Sequence, residues 1–116
     1  MRIFKILTAA QWAEFQRDGV FRGAPIDLSD GYMHFSTAGQ VRETAARHFA
    51  GQAGLHLAWS DAARLADALK WEVSRGGAKF PHLFRTWQMQ EVAGDAPLPL
   101  REGRHVFPDF PDEPIA

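Results

Sequence analysis

Four side chains in this sequence have the types and the placement for chemistry: His34, Ser36, Glu72 and His82. The run Gly31-Tyr32-Met33-His34-Phe35-Ser36-Thr37 puts an imidazole and a hydroxyl two positions apart, and in a strand positions two apart share a face. Thr37 and Gln40 have capping-box spacing, so a helix start follows at once. Free N–H groups and the positive end of a helix dipole then adjoin the His and the Ser, a setting for an anion. Capping accounts for Thr37 and leaves His34 unexplained. Trp71-Glu72-Val73 flanks a carboxylate with apolar neighbours. That is a setting either for a partly desolvated acid or for an ordinary exposed strand residue. In Phe80-Pro81-His82-Leu83-Phe84, Pro81 stiffens the approach to a strand and fixes where His82 points, towards a ligand or towards a loop carbonyl. Arg47 and His48 lie on the helix after Gln40. A solvated Glu43–Arg47 pair at i,i+4 is the simpler account of Arg47, which also lies off the apolar stripe and can reach a pocket. The five histidines show no i,i+4 pair and no His-x-His, so no metal is expected. There is no Gly-x-Ser-x-Gly elbow for a serine triad.

The elements that must position these residues follow from periodicity. Residues 2–7 alternate as a strand. Thr8 and Gln11 open a helix through Arg17, and Asp18-Gly19 ends it. Gly19, Gly23, Pro25 and Ser29-Asp30-Gly31 mark residues 19–31 as a loop. A short strand covers 32–36, and the helix opened by Thr37 and Gln40 runs over 38–50, where Gly51 is a natural stop. Residues 55–59 alternate, Ser60 or Asp61 caps a helical turn through Leu69, and 70–74 alternate again. Gly76-Gly77 turns the chain, 82–89 reads as a strand, and 101–107 as the last one. Strands with two real helices and hairpin-like returns point to the α+β class and not to a βαβ repeat. Residues 1–107 form one domain, and 108–116 are a proline-rich acidic tail that need not fold against it.

Strand parity sorts the faces. Met33 and Phe35 oppose Tyr32, His34 and Ser36. Leu55, Leu57 and Trp59 oppose His56, and Leu69, Trp71 and Val73 oppose Lys70, Glu72 and Ser74. If these strands share a sheet, the polar faces line one cleft holding His34, Ser36 and Glu72; a solvated sheet face explains the same alternation. The expected core is Met33, Phe35, Val41, Phe49, Leu57, Trp59, Trp71 and Leu83.

Composition bounds the function. A chain of 116 residues suits a single domain able to bury a core without staples. With no cysteine, disulfides, thiolate nucleophiles and cysteine-ligated metals are excluded. Net charge is −1, from 13 basic and 14 acidic residues without a basic run, so no nucleic-acid partner is expected. No apolar run approaches the ~20 residues of a membrane span. The opening MRIFKILTAA is too short and mixed for a secretory signal, so a cytoplasmic location and no membrane partner are expected. Nine Phe and four Trp suggest a core built on rings. The sequence does not set the oligomeric state.

The blocks GYMHFSTAGQV, Thr44-Ala45-Ala46-Arg47-His48-Phe49, Leu69-Lys70-Trp71-Glu72-Val73-Ser74 and Phe80-Pro81-His82-Leu83-Phe84 follow an order of motifs that resembles a bacterial family, domain-of-unknown-function family 952. The resemblance spans the first strand to about Val92, with Arg85 where the family usually has Gly. It implies a fold similar to that of ADP-ribosyltransferases, a split, mostly antiparallel sheet with two main helices and a cleft for NAD. Under that resemblance Glu72 and His34 are the catalytic candidates: Glu72 stabilises a developing oxocarbenium ion, and His34 positions a ribose hydroxyl or an amide. Ser36, Thr37, Gln40, Arg47, Trp71 and His82 are the ligand-binding candidates, with the ligand's phosphates near the start of the 38–50 helix. NAD or ADP-ribose is then the substrate or ligand, with no other cofactor. A non-catalytic module binding a nucleotide or small metabolite is the alternative.

Overall fold

The first strand, β1 (Arg2–Thr8), is buried on both sides. Ile3 and Leu7 face one apolar cluster with Trp12, Phe15, Met33, Phe35, Leu83 and Trp87. Phe4 and Ile6 face a second one with Val41, Ala45, Leu55, Leu57 and Leu98. A computed structural model describes residues 1–111. After β1, the Thr8 side chain accepts from the Gln11 N–H and the Gln11 side chain accepts from the Thr8 N–H, which opens α1 (Ala9–Asp18). Gly19, at φ 74°, ends it.

Residues 19–31 are more ordered than their turn signals suggest. They hold a short strand, β2 (Val20–Phe21), and a helix, α2 (Pro25–Asp30), with Pro25 in its first turn and Gly31 closing it at φ 84°. Pro inside the start and Gly past the end are helix signals as much as turn signals.

The strand expected over 32–36 is two strands in two sheets: β3 (Met33–His34) and β4 (Ser36–Thr37). Between them the Phe35 N–H donates to the Pro81 carbonyl at 3.1 Å. The helix expected over 38–50 is shorter, α3 (Val41–His48). Next come β5 (Leu55–Asp61), a 3₁₀ turn capped by Asp61, β6 (Leu69–Val73) and β7 (Lys79–Leu83). The strand expected over 82–89 is broken after Leu83. Arg85 binds Asp67 and Glu91 at that break, and β8 (Trp87–Gln88) turns away to pair with β2. A strand that sequence reading missed, β9 (Gly94–Leu98), pairs with the edge of β5. The last strand splits into β10 (Leu100–Arg101) and β11 (Arg104–His105) around a tight turn.

The sheets run β4-β1-β5-β9 and β3-β7-β6, all antiparallel where paired, with two small ladders beside them. The chain is therefore α+β with divided antiparallel sheets, and the division falls between His34 and Ser36. Of the expected core, Met33, Phe35, Val41, Leu57 and Leu83 are buried, while Phe49, Trp59 and Trp71 are half-buried against it. Beyond residue 107, Phe110 stacks on Phe4 at 4.6 Å and Arg42 covers both Phe107 and Phe110. The chain up to there lies against the body, and residues 112–116 fall outside the described part.

Candidate functional site

The three-stranded sheet decides which side chains meet. His34 lies opposite His82, His82 opposite Lys70, and Phe80 opposite Glu72. Opposite residues in an antiparallel pair share a face. One face therefore carries His34, His82, Lys70, Glu72 and Phe80, and the other buries Met33 and Leu83 and packs the half-buried Leu69 and Trp71 against the core. The polar face opens into a cleft of about 660 Å³. Its walls are β1, α2, one flank of α3 (Val41, Thr44, His48) and the β3–β7 pair. Most of the lining is apolar, from Phe4, Ile6, Ile26, Phe35, Val41, Phe49 and Phe80, with a polar end at Lys5, Asp30, His34, Ser36 and His82.

His82 is almost fully buried, at 3 % exposure. Its Nδ1 is 2.8 Å from Glu72 Oε1, and its ring stacks on Tyr32 at 4.2 Å between centroids. A carboxylate only accepts, so Nδ1 carries the hydrogen and Nε2 of the neutral ring is an acceptor. Nε2 has no hydrogen-bond partner among the described residues, yet it is not sealed from solvent. The ring lines the cleft, so Nε2 is the atom that the cleft can use.

His34 is held differently. Its Nδ1 is 2.7 Å from Asp27 Oδ1 and its Nε2 is 2.9 Å from Asp30 Oδ2, so both ring nitrogens face acceptors. A ring with N–H on both nitrogens satisfies both. Asp27, 3 % exposed, also accepts from the His34 N–H (3.0 Å), the Ala24 N–H (2.7 Å) and the Lys5 ammonium (3.1 Å). Burial pushes the Asp27 carboxyl up, but the His34 hydrogen bond and the Lys5 charge outweigh it and hold it at about 2. Burial lowers the Lys5 pKa, with Asp27 opposing. The Lys5 ammonium also donates to the His34 carbonyl at 2.7 Å. Lys5, Asp27, His34 and Asp30 thus form one chain of charge-assisted bonds tying β1, α2 and β3 together.

The remaining expected residues divide. Ser36 lines the cleft and bonds Thr44 across to α3 at 2.8 Å. Glu72 is reached through His82. Thr37 is buried; its N–H donates to the Gln40 side chain, and Gln40 in turn donates to the Lys79 carbonyl. Arg47 lies on the outer face of α3, bonded to Glu43 at 2.9 Å. Trp71 faces the core, on the far side of the sheet from Glu72. Three site residues escaped sequence reading: Lys5, Asp27 and Asp30. The available signal was Pro25 and Gly31 bracketing Asp27 and Asp30 at helical spacing.

A family model described as "Protein of unknown function (DUF952)" matches residues 6–94. The chain belongs to DUF952. The crystal structure of protein CC0527 from Caulobacter crescentus is 45% identical to this DUF952 chain, with a TM-score of 0.88 over 91% of this chain and 94% of that one. Its solution NMR structure, at 45% identity, gives a TM-score of 0.81 over 90% of each. No curated protein matches the chain. Among the described residues no group of metal-ligating side chains gathers, and no helix is long and apolar enough to cross a membrane.

Proposed function

We propose that the cleft binds a small organic ligand and does acid–base chemistry on it, with His82 moving the proton and Glu72 orienting His82. The observation that carries this reading is the Glu72–His82 pair: one ring nitrogen is held by a carboxylate at 2.8 Å while the other is open to a cleft. That is how a general base is held in one tautomer and aimed. The ligand class comes from family likeness. An ADP-ribosyltransferase-like fold supports NAD or a related ADP-ribose ligand, its ribose hydroxyls at His34, Ser36 and His82, with Glu72 beside a developing oxocarbenium ion. In that reading the phosphates lie towards Thr37, Gln40 and the start of α3.

The test is titration with NAD and with ADP-ribose while following backbone amide shifts. The amides of residues 33–40 and 80–83 are expected to move. If they stay put at millimolar ligand, where even a −4 kcal/mol interaction registers, the nucleotide reading is wrong. Glu72→Gln should abolish turnover and leave affinity within about twofold, a change of under about 0.5 kcal/mol.

A second reading, a non-catalytic module for a nucleotide or small metabolite, is favoured by His34. Both of its ring nitrogens and the neighbouring ammonium are committed to Asp27, Asp30 and the backbone, which holds a wall in place and leaves neither nitrogen free for a ligand. Under that reading no turnover of any bound ligand appears in either the wild type or Glu72→Gln.

A further inference from the structure

The polar end of the cleft has a one-sided hydrogen-bonding character. His82 Nε2 is an acceptor, because Glu72 fixes the hydrogen on Nδ1. Asp30 lines the cleft with a carboxylate, which accepts only, and just one of its oxygens is engaged by His34. Ser36 joins them by a short relay. The Thr44 hydroxyl donates to the Gln40 carbonyl at 3.2 Å, so the Ser36 hydroxyl donates to Thr44 at 2.8 Å and keeps its lone pairs as acceptors. The nearby donor, the Lys5 ammonium, is taken up by Asp27 and the His34 carbonyl. Lys70, across the strand pair from His82, turns its ammonium onto the Phe84 ring, 4.8 Å from the centroid.

Charge points the same way. Among the described residues Asp30 is the carboxylate that lines the cleft, while the ammonium groups of Lys5 and Lys70 are turned onto Asp27 and the Phe84 ring. A lining carboxylate with one oxygen open attracts a cation placed beside it and repels an anion there. Beyond the polar end the cleft is walled by Phe35, Phe80, Phe4 and Phe49.

We propose that the group preferred at this end of the cleft is a protonated amine carried on an apolar ring, its N–H groups donated to Asp30, His82 Nε2 and Ser36, and not a carboxylate in the same place. This rests on the reading of the cleft as a binding site. The ring packs among the phenylalanines, and the ammonium replaces water at three acceptors that the protein leaves open. Asp30 sets the charge preference; His82 and Ser36 set direction.

Matched pairs of probes that differ only in the head group test this. Phenethylamine and 3-phenylpropionate form one pair, tryptamine and indole-3-propionate the other. Each is titrated into ¹⁵N-histidine-labelled protein, and the His34 and His82 ring nitrogens are followed with the backbone amides. Each amine should bind at least about tenfold tighter than its acid and shift His82 Nε2. Asp30→Asn, a change at a half-exposed side chain, should bring the members of a pair within about twofold of each other. An acid that binds the cleft as well as its amine overturns the ligand class and leaves the binding site standing. A preference undiminished in Asp30→Asn overturns the role of Asp30. No shift in the cleft from any of the four at about 10 mM overturns both the ligand class and the site.

Discussion

Asp27→Asn is a near-isosteric change that removes one charge from the hub of the site, and its cost should depend on pH in a defined way. In the wild type the Asp27 carboxyl is held at about 2 against an ordinary 3.8, a gap worth about 2 kcal/mol of folding stability. A depressed carboxyl pKa stabilises the fold fully above about pH 4, and that stabilisation is lost as pH falls through about 2. At pH 7 the substitution does more than remove it, because the Lys5 ammonium is left buried at 7 % exposure without its counter-ion. Breaking a buried pair from one side costs about 3–5 kcal/mol, a large part of a small domain's stability. The loss is limited by Lys5 itself. Burial already lowers its pKa, and without Asp27 the opposing attraction is gone. Lys5 then sheds its proton more readily, and a lowered lysine pKa makes stability rise with pH up to the unfolded value near 10.5. The deficit of the variant should therefore be largest around pH 5–7, shrink towards pH 2, and shrink again towards pH 10. Urea unfolding of both proteins across that range measures it. A deficit that is flat with pH, or under about 1 kcal/mol at pH 7, would refute the hub and the charges assigned to it.

Three further outcomes are expected. Phe35→Ala, at the crossing between the two sheets and 2 % exposed, should cost about 3–5 kcal/mol in chemical denaturation; a loss under about 1 kcal/mol would mean the strand's faces are reversed. Gly94→Ala puts a methyl within 2.5 Å of the Trp59 ring, so it should cost about 1–3 kcal/mol and alter Trp59 fluorescence, whereas the same change at Gly54, which meets no atom within 4 Å, should leave Trp59 unaltered. Glu72→Gln should release the tautomer of His82, seen as mixed Nδ1–H and Nε2–H signals in ¹⁵N spectra, with little change in stability because Glu72 is 43 % exposed.

Local signals carried the elements whose causes are local. Thr8 with Gln11 and Gly19 fix the first helix from three residues, and strand parity sorts Met33 and Leu83 from His34 and His82 because each pleat obeys a period of two. What failed depended on distant partners. Lys5 looks like the solvent-facing residue of an alternating strand, yet β1 is covered on both sides, and the carboxylate that permits its burial is 22 positions away in a segment whose Pro and Gly read as turns. Gly94-Asp95-Ala96-Pro97-Leu98 has the composition of a loop. It is a strand because β5 offers it an edge, where Pro97 needs no second partner and Gly94 admits the Trp59 ring. The break at Arg85 follows from Asp67 and Glu91, 18 and 6 residues away.

The candidate site shows the same division, and it separates two histidines that sequence treats alike. Both are strand residues on the polar phase, and they face one another across a β pair with ring centroids 5.5 Å apart. Their chemistry differs because their carboxylates arrive from different places. Glu72 comes from the neighbouring strand of the same sheet and reaches one nitrogen of His82, leaving the other open. Asp27 and Asp30 come from one helix, three residues apart, and close on both nitrogens of His34. The ring with a nitrogen left open is therefore the buried one, and the more exposed ring is held at both nitrogens. Exposure alone would have ranked them the other way; counting hydrogens against acceptors reverses the order.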